Sequence, residues 1–99
     1  NVSIALEDIL YIEALGNYTK IFRESGGYVL SHTNLKTIQA MLPVNSFLRI
    51  HRSYVISVKK VERFTKNYIQ LEKTSILLPI GECYASQVNQ VLTNTKGFL

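Results

Sequence analysis

Apolar and polar residues alternate with a period of two through much of the chain. In Phe47-Leu-Arg-Ile-His-Arg-Ser-Tyr54, Leu48 and Ile50 take one face and Arg49 and His51 the other, the mark of a half-buried strand. The apolar run Tyr54-Val-Ile56 then resumes, so Arg52-Ser53 marks an exposed break between two strands. Ile9–Leu15 and Tyr18–Arg23 read as antiparallel strands, joined at Gly16-Asn17 because both residues tolerate positive φ. Glu24-Ser-Gly-Gly27 turns the chain into a third strand, Tyr28–Ser31, completing a meander. A second hairpin series follows: Val58–Phe64, a turn at Thr65–Asn67, Tyr68–Glu72, a turn at Lys73–Ser75, then Ile76–Ile80.

The period changes twice. Leu35, Ile38 and Leu42 fall at i, i+3 and i+7, which predicts a short helix over about 34–42. Thr33 or Asn34 can cap it, and Pro43 stops it. After Gly81 breaks the last strand, Tyr84, Val88, Val91 and Leu92 predict an amphipathic C-terminal helix over about 82–92. The fold class is mainly β, with one internal and one terminal helix.

Composition narrows the picture. Ninety-nine residues with 46% hydrophobic side chains, five glycines and two prolines make one folded domain. The longest apolar runs, such as Ile76-Leu-Leu78, are too short to span a bilayer, and no signal peptide is visible. The chain opens Asn-Val-Ser-Ile, which fits a piece of a longer protein. A single cysteine, Cys83, excludes an internal disulfide and agrees with a reducing, cytoplasmic setting. The net charge of +4 is lopsided along the chain. Residues 1–45 carry three basic and four acidic side chains, and residues 46–99 eight and three. That asymmetry suits an anionic partner, nucleic acid first and a membrane surface second, with Lys59 and Lys60 as candidate phosphate contacts. A solvated surface without a partner fits the charge equally well.

Enzyme signatures are poor. His32 and His51 lack metal-ligand spacing, Cys83 has no CxxC mate, and no nucleotide or hydrolase motif is present. No metal or cofactor is expected. Glu7, Asp8 and Glu13 read as surface charges near a strand end. Cys83 could pair with His51 as a thiol nucleophile; the better reading is a small buried residue in the first turn of a helix. Nucleic-acid binding accounts for more. Polar residues gather at three turns: Asn17-Tyr18-Thr19-Lys20, His51-Arg52-Ser53 and Gly81-Glu82-Cys83. Arginine's planar fork suits phosphate oxygens and the O6/N7 edge of guanine. Arg49 and His51 could equally tie strand ends together. Six tyrosines and four phenylalanines permit base stacking on single strands, but Tyr11, Tyr54 and Tyr84 lie inside apolar patterns that suit a core.

Four ordered motifs then resemble one family. Asp8-Ile-Leu-Tyr-Ile-Glu-Ala14 with Gly16-Asn-Tyr18, the helix from Asn34-Leu-Lys36 to Leu42 and Pro43, Phe47–Tyr54, and Leu78-Pro-Ile-Gly81 are together similar to the LytTR-type DNA-binding domain of bacterial transcription regulators. The likeness runs from about Ile4 to Leu92. It implies an elongated, mainly β arrangement of about ten short strands in several small antiparallel sheets. It implies that loops, rather than a recognition helix, enter successive major grooves of double-stranded DNA. Carried over by position, Asn17, Tyr18, Thr19 and Lys20 form one inserting loop, Arg52 with Ser53 is the central reader, and Gly81 to Cys83 is a third contact. Arg49 and His51 match the motif, either touching DNA or holding the loop that carries Arg52. The family domain usually follows a phosphoacceptor receiver domain, and a dimer on DNA is a further expectation. The chain departs from many members at two places. Ser57 stands where asparagine is common, and Gly81-Glu82 where serine and a basic residue are common. The Glu82 carboxylate has the wrong sign for a phosphate contact; it can accept from cytosine N4 or favour a helix N-terminus.

The resulting expectation is a sequence-specific double-stranded DNA-binding output domain of a cytoplasmic bacterial regulator, not an enzyme. The alternative is an RNA-binding or protein-interaction β module that uses the same basic edge.

Overall fold

The computed structural model describes residues 3–96, which hold eight strands and two α-helices. In chain order these are β1 (Ile9–Leu15), β2 (Tyr18–Arg23), β3 (Tyr28–Ser31), α1 (Leu35–Met41), β4 (Phe47–His51), β5 (Tyr54–Ser57), β6 (Val61–Phe64), β7 (Tyr68–Leu71), β8 (Leu77–Pro79) and α2 (Ala85–Lys96). Single 3-10 turns precede β1, β6 and α2. The strands form two antiparallel sheets, ordered β3-β2-β1-β5-β4 and β6-β7-β8. The described residues thus carry eight strands in two sheets, where the family likeness implied about ten in several. The molecule is elongated, 41 × 26 × 23 Å.

Period-2 alternation builds a core on each face of the five-stranded sheet. Tyr11, Ile56 and Leu48 lie in one cross-strand row. They pack with Ile50 against Ile69, Leu71 and Leu78 of the small sheet and Val88 and Leu92 of α2. The opposite row, Ile12 and Val55, meets Leu35 and Ile38 of α1 together with Ile9 and Phe47. Ile12, Ile50, Val55 and Ile56 have no exposed surface, and each such side chain contributes roughly 1.5–3 kcal/mol of burial. The seven residues of α1 are too few to form a helix alone. Packing of Leu35 and Ile38, and the Asn34 side chain accepting from the Thr37 N–H, hold it in place.

The C-terminal helix starts with a 3-10 turn at Glu82–Tyr84 and runs on to Lys96, four residues past the predicted end. Thr93–Lys96 adds no apolar position to mark that last turn.

The two edges of the large sheet differ. On the β4 edge, the Gly81 N–H donates to the Ile50 carbonyl at 2.8 Å, and α2 packs alongside. On the β3 edge, no strand among the described residues pairs with the outer side, and Tyr28 and Leu30 are exposed. No helix among the described residues is long and apolar enough to cross a membrane.

Candidate nucleic-acid interface

Antiparallel pairing brings the polar turns to one end of the large sheet. β1 ends at Leu15 where β5 begins at Tyr54, since Glu13 faces Tyr54. The Ala14 N–H donates to the Ser53 carbonyl at 2.8 Å, so the Gly16-Asn17 and Arg52-Ser53 turns are neighbours. The Gly81–Ile50 bond places the Gly81–Cys83 segment on the other side of the Arg52 turn. β3 also ends here, with Ser31 facing Thr19, and His32 meets the Tyr18 ring edge-on at 4.8 Å between centroids.

Each turn has a local cause. In Gly16-Asn17 only Gly16 has a positive φ, +61°, the pattern of a type II′ hairpin rather than two left-handed residues. The Arg52 turn follows a β-bulge: Arg49 faces Val55 but His51 faces Tyr54, leaving Ile50 as the extra residue. A bulge re-aims the strand end, and it shortens the connection to Arg52 and Ser53. Gly81 has φ −71°, so its reason is space. A Cβ there would lie 3.1 Å from the Tyr84 ring and 3.6 Å from His51 Cα.

Arg52 is exposed, and among the described residues no hydrogen bond, ion pair or ring engages its guanidinium. Glu13 accepts from the Tyr54 hydroxyl at 3.2 Å and Glu62 pairs with Arg63 at 3.2 Å; neither carboxylate bonds to Arg52 among the described residues. Arg49 is arranged differently. Its Nε donates to the His51 carbonyl at 2.8 Å, one Nη to the Arg52 carbonyl, and the other to Gln39 Oε1 at 3.2 Å. The guanidinium also lies 5.9 Å from the Tyr84 ring centroid. His51 Nδ1 accepts from the Ser53 N–H at 3.0 Å, which requires Nδ1 to be unprotonated and fixes the tautomer. Of the two roles left open for Arg49 and His51, these bonds supply the one that holds the Arg52 loop.

The first segment is less of a loop than expected. Asn17 is in the turn and exposed, but Tyr18, Thr19 and Lys20 belong to β2. Thr19 is buried, and its hydroxyl donates to the Thr33 carbonyl at 2.7 Å, tying β2 to the approach to α1. Tyr18 is exposed, and the Lys20 ammonium sits 4.6 Å from the Tyr28 centroid. Burial, then the Glu13 carboxylate, push the Tyr54 phenol above its ordinary value, so it stays neutral and donating.

The two lysines are elsewhere. Lys59 and Lys60 follow β5 at its far end. Lys59 is exposed, whereas Lys60 is buried and its ammonium bonds to Glu24 at 2.5 Å. Lys73 reaches the other Glu24 oxygen at 3.7 Å. The Lys60 bond holds the Glu24 carboxyl below its ordinary value. Lys60 therefore serves the fold rather than an open phosphate-contacting surface. The lopsided charge read along the chain is partly cancelled in space, because two cations of the basic half meet an acid of the other half.

Cys83 is exposed rather than buried, and among the described residues no hydrogen bond joins it to His51. No group of three potential metal ligands gathers among those residues. Sequence reasoning missed three things: the bulge at Ile50, Gln39 and Tyr84 as supports of Arg49, and the approach of His32 to Tyr18.

Comparison with known proteins agrees with this architecture. The family model described as the LytTr DNA-binding domain matches residues 1–93. An uncharacterized response regulatory protein of Vibrio cholerae serotype O1 is 32% identical over 68 residues, covering 66% of this chain and 26% of that protein. The sensory transduction protein LytT of Bacillus cereus is 30% identical over 97 residues, covering 92% and 38%. The CO-responsive transcriptional regulator RcoM of Rhodospirillum rubrum is 26% identical over 89 residues, covering 85% and 37%. The chain thus spans about a quarter to two-fifths of the length of these curated relatives. A solved LytTr DNA-binding domain from Bacillus cereus superposes with a TM-score of 0.81 at 22% identity, covering 92% of this chain and 86% of that one.

Proposed function

Because the chain belongs to the LytTr DNA-binding domain family, whose members are DNA-binding domains of transcription regulators, we propose that it reads a specific double-stranded DNA sequence through its turns. On this reading the Arg52 turn enters a major groove, and its neighbours flank it. Asn17 and Tyr18 lie on one side and the Gly81–Cys83 segment on the other. Arg52 is the base reader, because its fork matches guanine O6 and N7. Lys59 contributes a phosphate contact at the far end. In the whole protein a receiver domain and a dimer on DNA complete the regulator, which acts in the cytoplasm.

The observation that carries this reading is the unpartnered, exposed Arg52 guanidinium on a turn whose backbone is held from both sides. A purely structural arginine would spend its fork on the protein, as Arg49 does. The decisive experiment is selection of bound duplexes from a random pool, followed by titration of the best duplex over a range of salt. Duplex should be preferred over single strands and RNA, with a log–log salt slope near −0.9 per phosphate neutralised. Equal binding of single strands, or no enrichment of any duplex, would return the molecule to an RNA-binding or protein-interaction role.

A further inference from the structure

We propose that Arg49 is a positioning residue that couples the Arg52 turn to the Gly81–Cys83 segment and so sets the sequence discrimination of Arg52; this rests on the DNA-binding reading above. Three observations converge on one side chain. Its guanidinium holds two successive carbonyls, those of His51 and Arg52, which fixes the direction in which the Arg52 side chain leaves the turn. The same group lies against the Tyr84 ring, and Tyr84 closes the 3-10 turn that begins at Gly81, through its N–H to the Gly81 carbonyl at 2.9 Å. Gln39 of α1 holds the remaining Nη. Arg49 is therefore the shared support of the Arg52 turn and the Gly81–Cys83 segment.

The chemistry requires arginine. A planar fork can place donors on two carbonyls and a side-chain amide at once while offering a flat face to an aromatic ring. A lysine ammonium keeps the charge but is a point donor on a flexible stem, and cannot hold that set of partners together. Gly81 completes the joint, since a Cβ there would press on the Tyr84 ring that Arg49 covers. A base contact displaced by about 1 Å loses its bidentate geometry, so a loosened support should cost discrimination without costing charge.

Arg49→Lys and Gln39→Ala test the inference. Among the described residues the Gln39 side chain bonds only to Arg49, so it reaches the turn through no other route. The first measurement needs no DNA: amide hydrogen exchange at Ser53 and Gly81. Both should quicken together in Arg49→Lys while the β2–β3 ladder is unchanged. Exchange that quickens at neither, or at only one, overturns the coupling. The second measurement compares the best duplex from the random-pool selection with a scrambled duplex of equal length. Arg49→Lys should lower the ratio of the two affinities by about tenfold, Gln39→Ala by less, with the salt slope unchanged in both. An unchanged ratio in Arg49→Lys overturns the proposal. Equal weakening of both duplexes by Arg49→Ala, with the slope shallower by about 0.9, does so too, because it marks a direct phosphate contact. A wild-type protein that prefers no duplex overturns the DNA reading instead and leaves the exchange result to judge Arg49.

Discussion

At the end of the large sheet where β2 turns into β3, Glu24 takes the ammonium of buried Lys60 on one oxygen and that of Lys73 on the other. Nearby, Asp8 accepts from both the hydroxyl and the N–H of Ser25. At the opposite end Arg52 extends into solvent with no partner among the described residues, although the segments that carry Glu13 and Glu82 are bonded to the strands on either side of its turn. Charges at the first end are spent on joining the two sheets. At the second, one cation is held in reserve by a backbone that other residues make rigid. The difference teaches that a count of basic residues says little about a binding face, and that pairing decides which of them can serve it.

The sharpest way to break this contrast is Arg52→Ala. If the reserve end reads DNA, the specific-to-nonspecific affinity ratio should fall about 5- to 150-fold, since a bidentate guanine contact supplies roughly 1–3 kcal/mol. Thermal stability should barely move, and Arg52→Lys should not restore the ratio. A fall in melting temperature with equal weakening on every duplex would make Arg52 structural. Next in size is Lys60→Ala, which removes the main partner of Glu24 and should lower the melting temperature by several degrees. The affinity ratio measured on the same variant should stay at the wild-type value. A changed ratio would show that the two ends are not independent.

Acid sharpens the same comparison. The Glu24 carboxyl is held below its ordinary 4.5 by Lys60, and the Asp8 carboxyl below its ordinary 3.8 by Ser25. A depressed folded value means that the stabilisation is complete above the ordinary value and lost as pH falls through the folded one. Melting temperature should therefore decline as pH drops below the ordinary carboxylate values. The Glu24→Gln variant should show a shallower decline from a lower starting point. An identical slope in the variant would remove Glu24 from the account. The smallest effect belongs to Cys83→Ser. The thiol is exposed and outside every core, so fold and binding should both be retained. Rapid acylation of Cys83 by a generic ester, abolished by His51→Ala, would be the contrary result.

Much of this was legible in the chain. The strands from Ile9 to Ser31 carry their own turns, and the Asn34 cap and Pro43 bracket α1 within a residue. Arg52 could be placed on an exposed turn because strand patterns flank it on both sides. What stayed hidden was tertiary. Nothing local distinguishes Lys60 from Lys59, yet one is buried because Glu24 lies 36 residues away in sequence and beside it in space. Thr19 sits in a polar string but is covered once Thr33 folds over it. Arg49 and Arg52 are three residues apart and chemically identical; a bulge and a glutamine on another element separate the anchored guanidinium from the exposed one.

The uncovered β3 edge has a consequence for how molecules meet. Tyr28-Val-Leu-Ser31 carries no charge and no proline, and offers a row of free backbone donors and acceptors to any extended segment. The opposite edge of the same sheet is covered by the Gly81 bond and α2, so among the described residues the large sheet can extend to another molecule on one side only. Two copies that join β3 to β3 leave no open edge of the large sheet, so continuous growth of that sheet stops at a pair. The long-range restraint on that encounter is the net charge of +4, and salt weakens it.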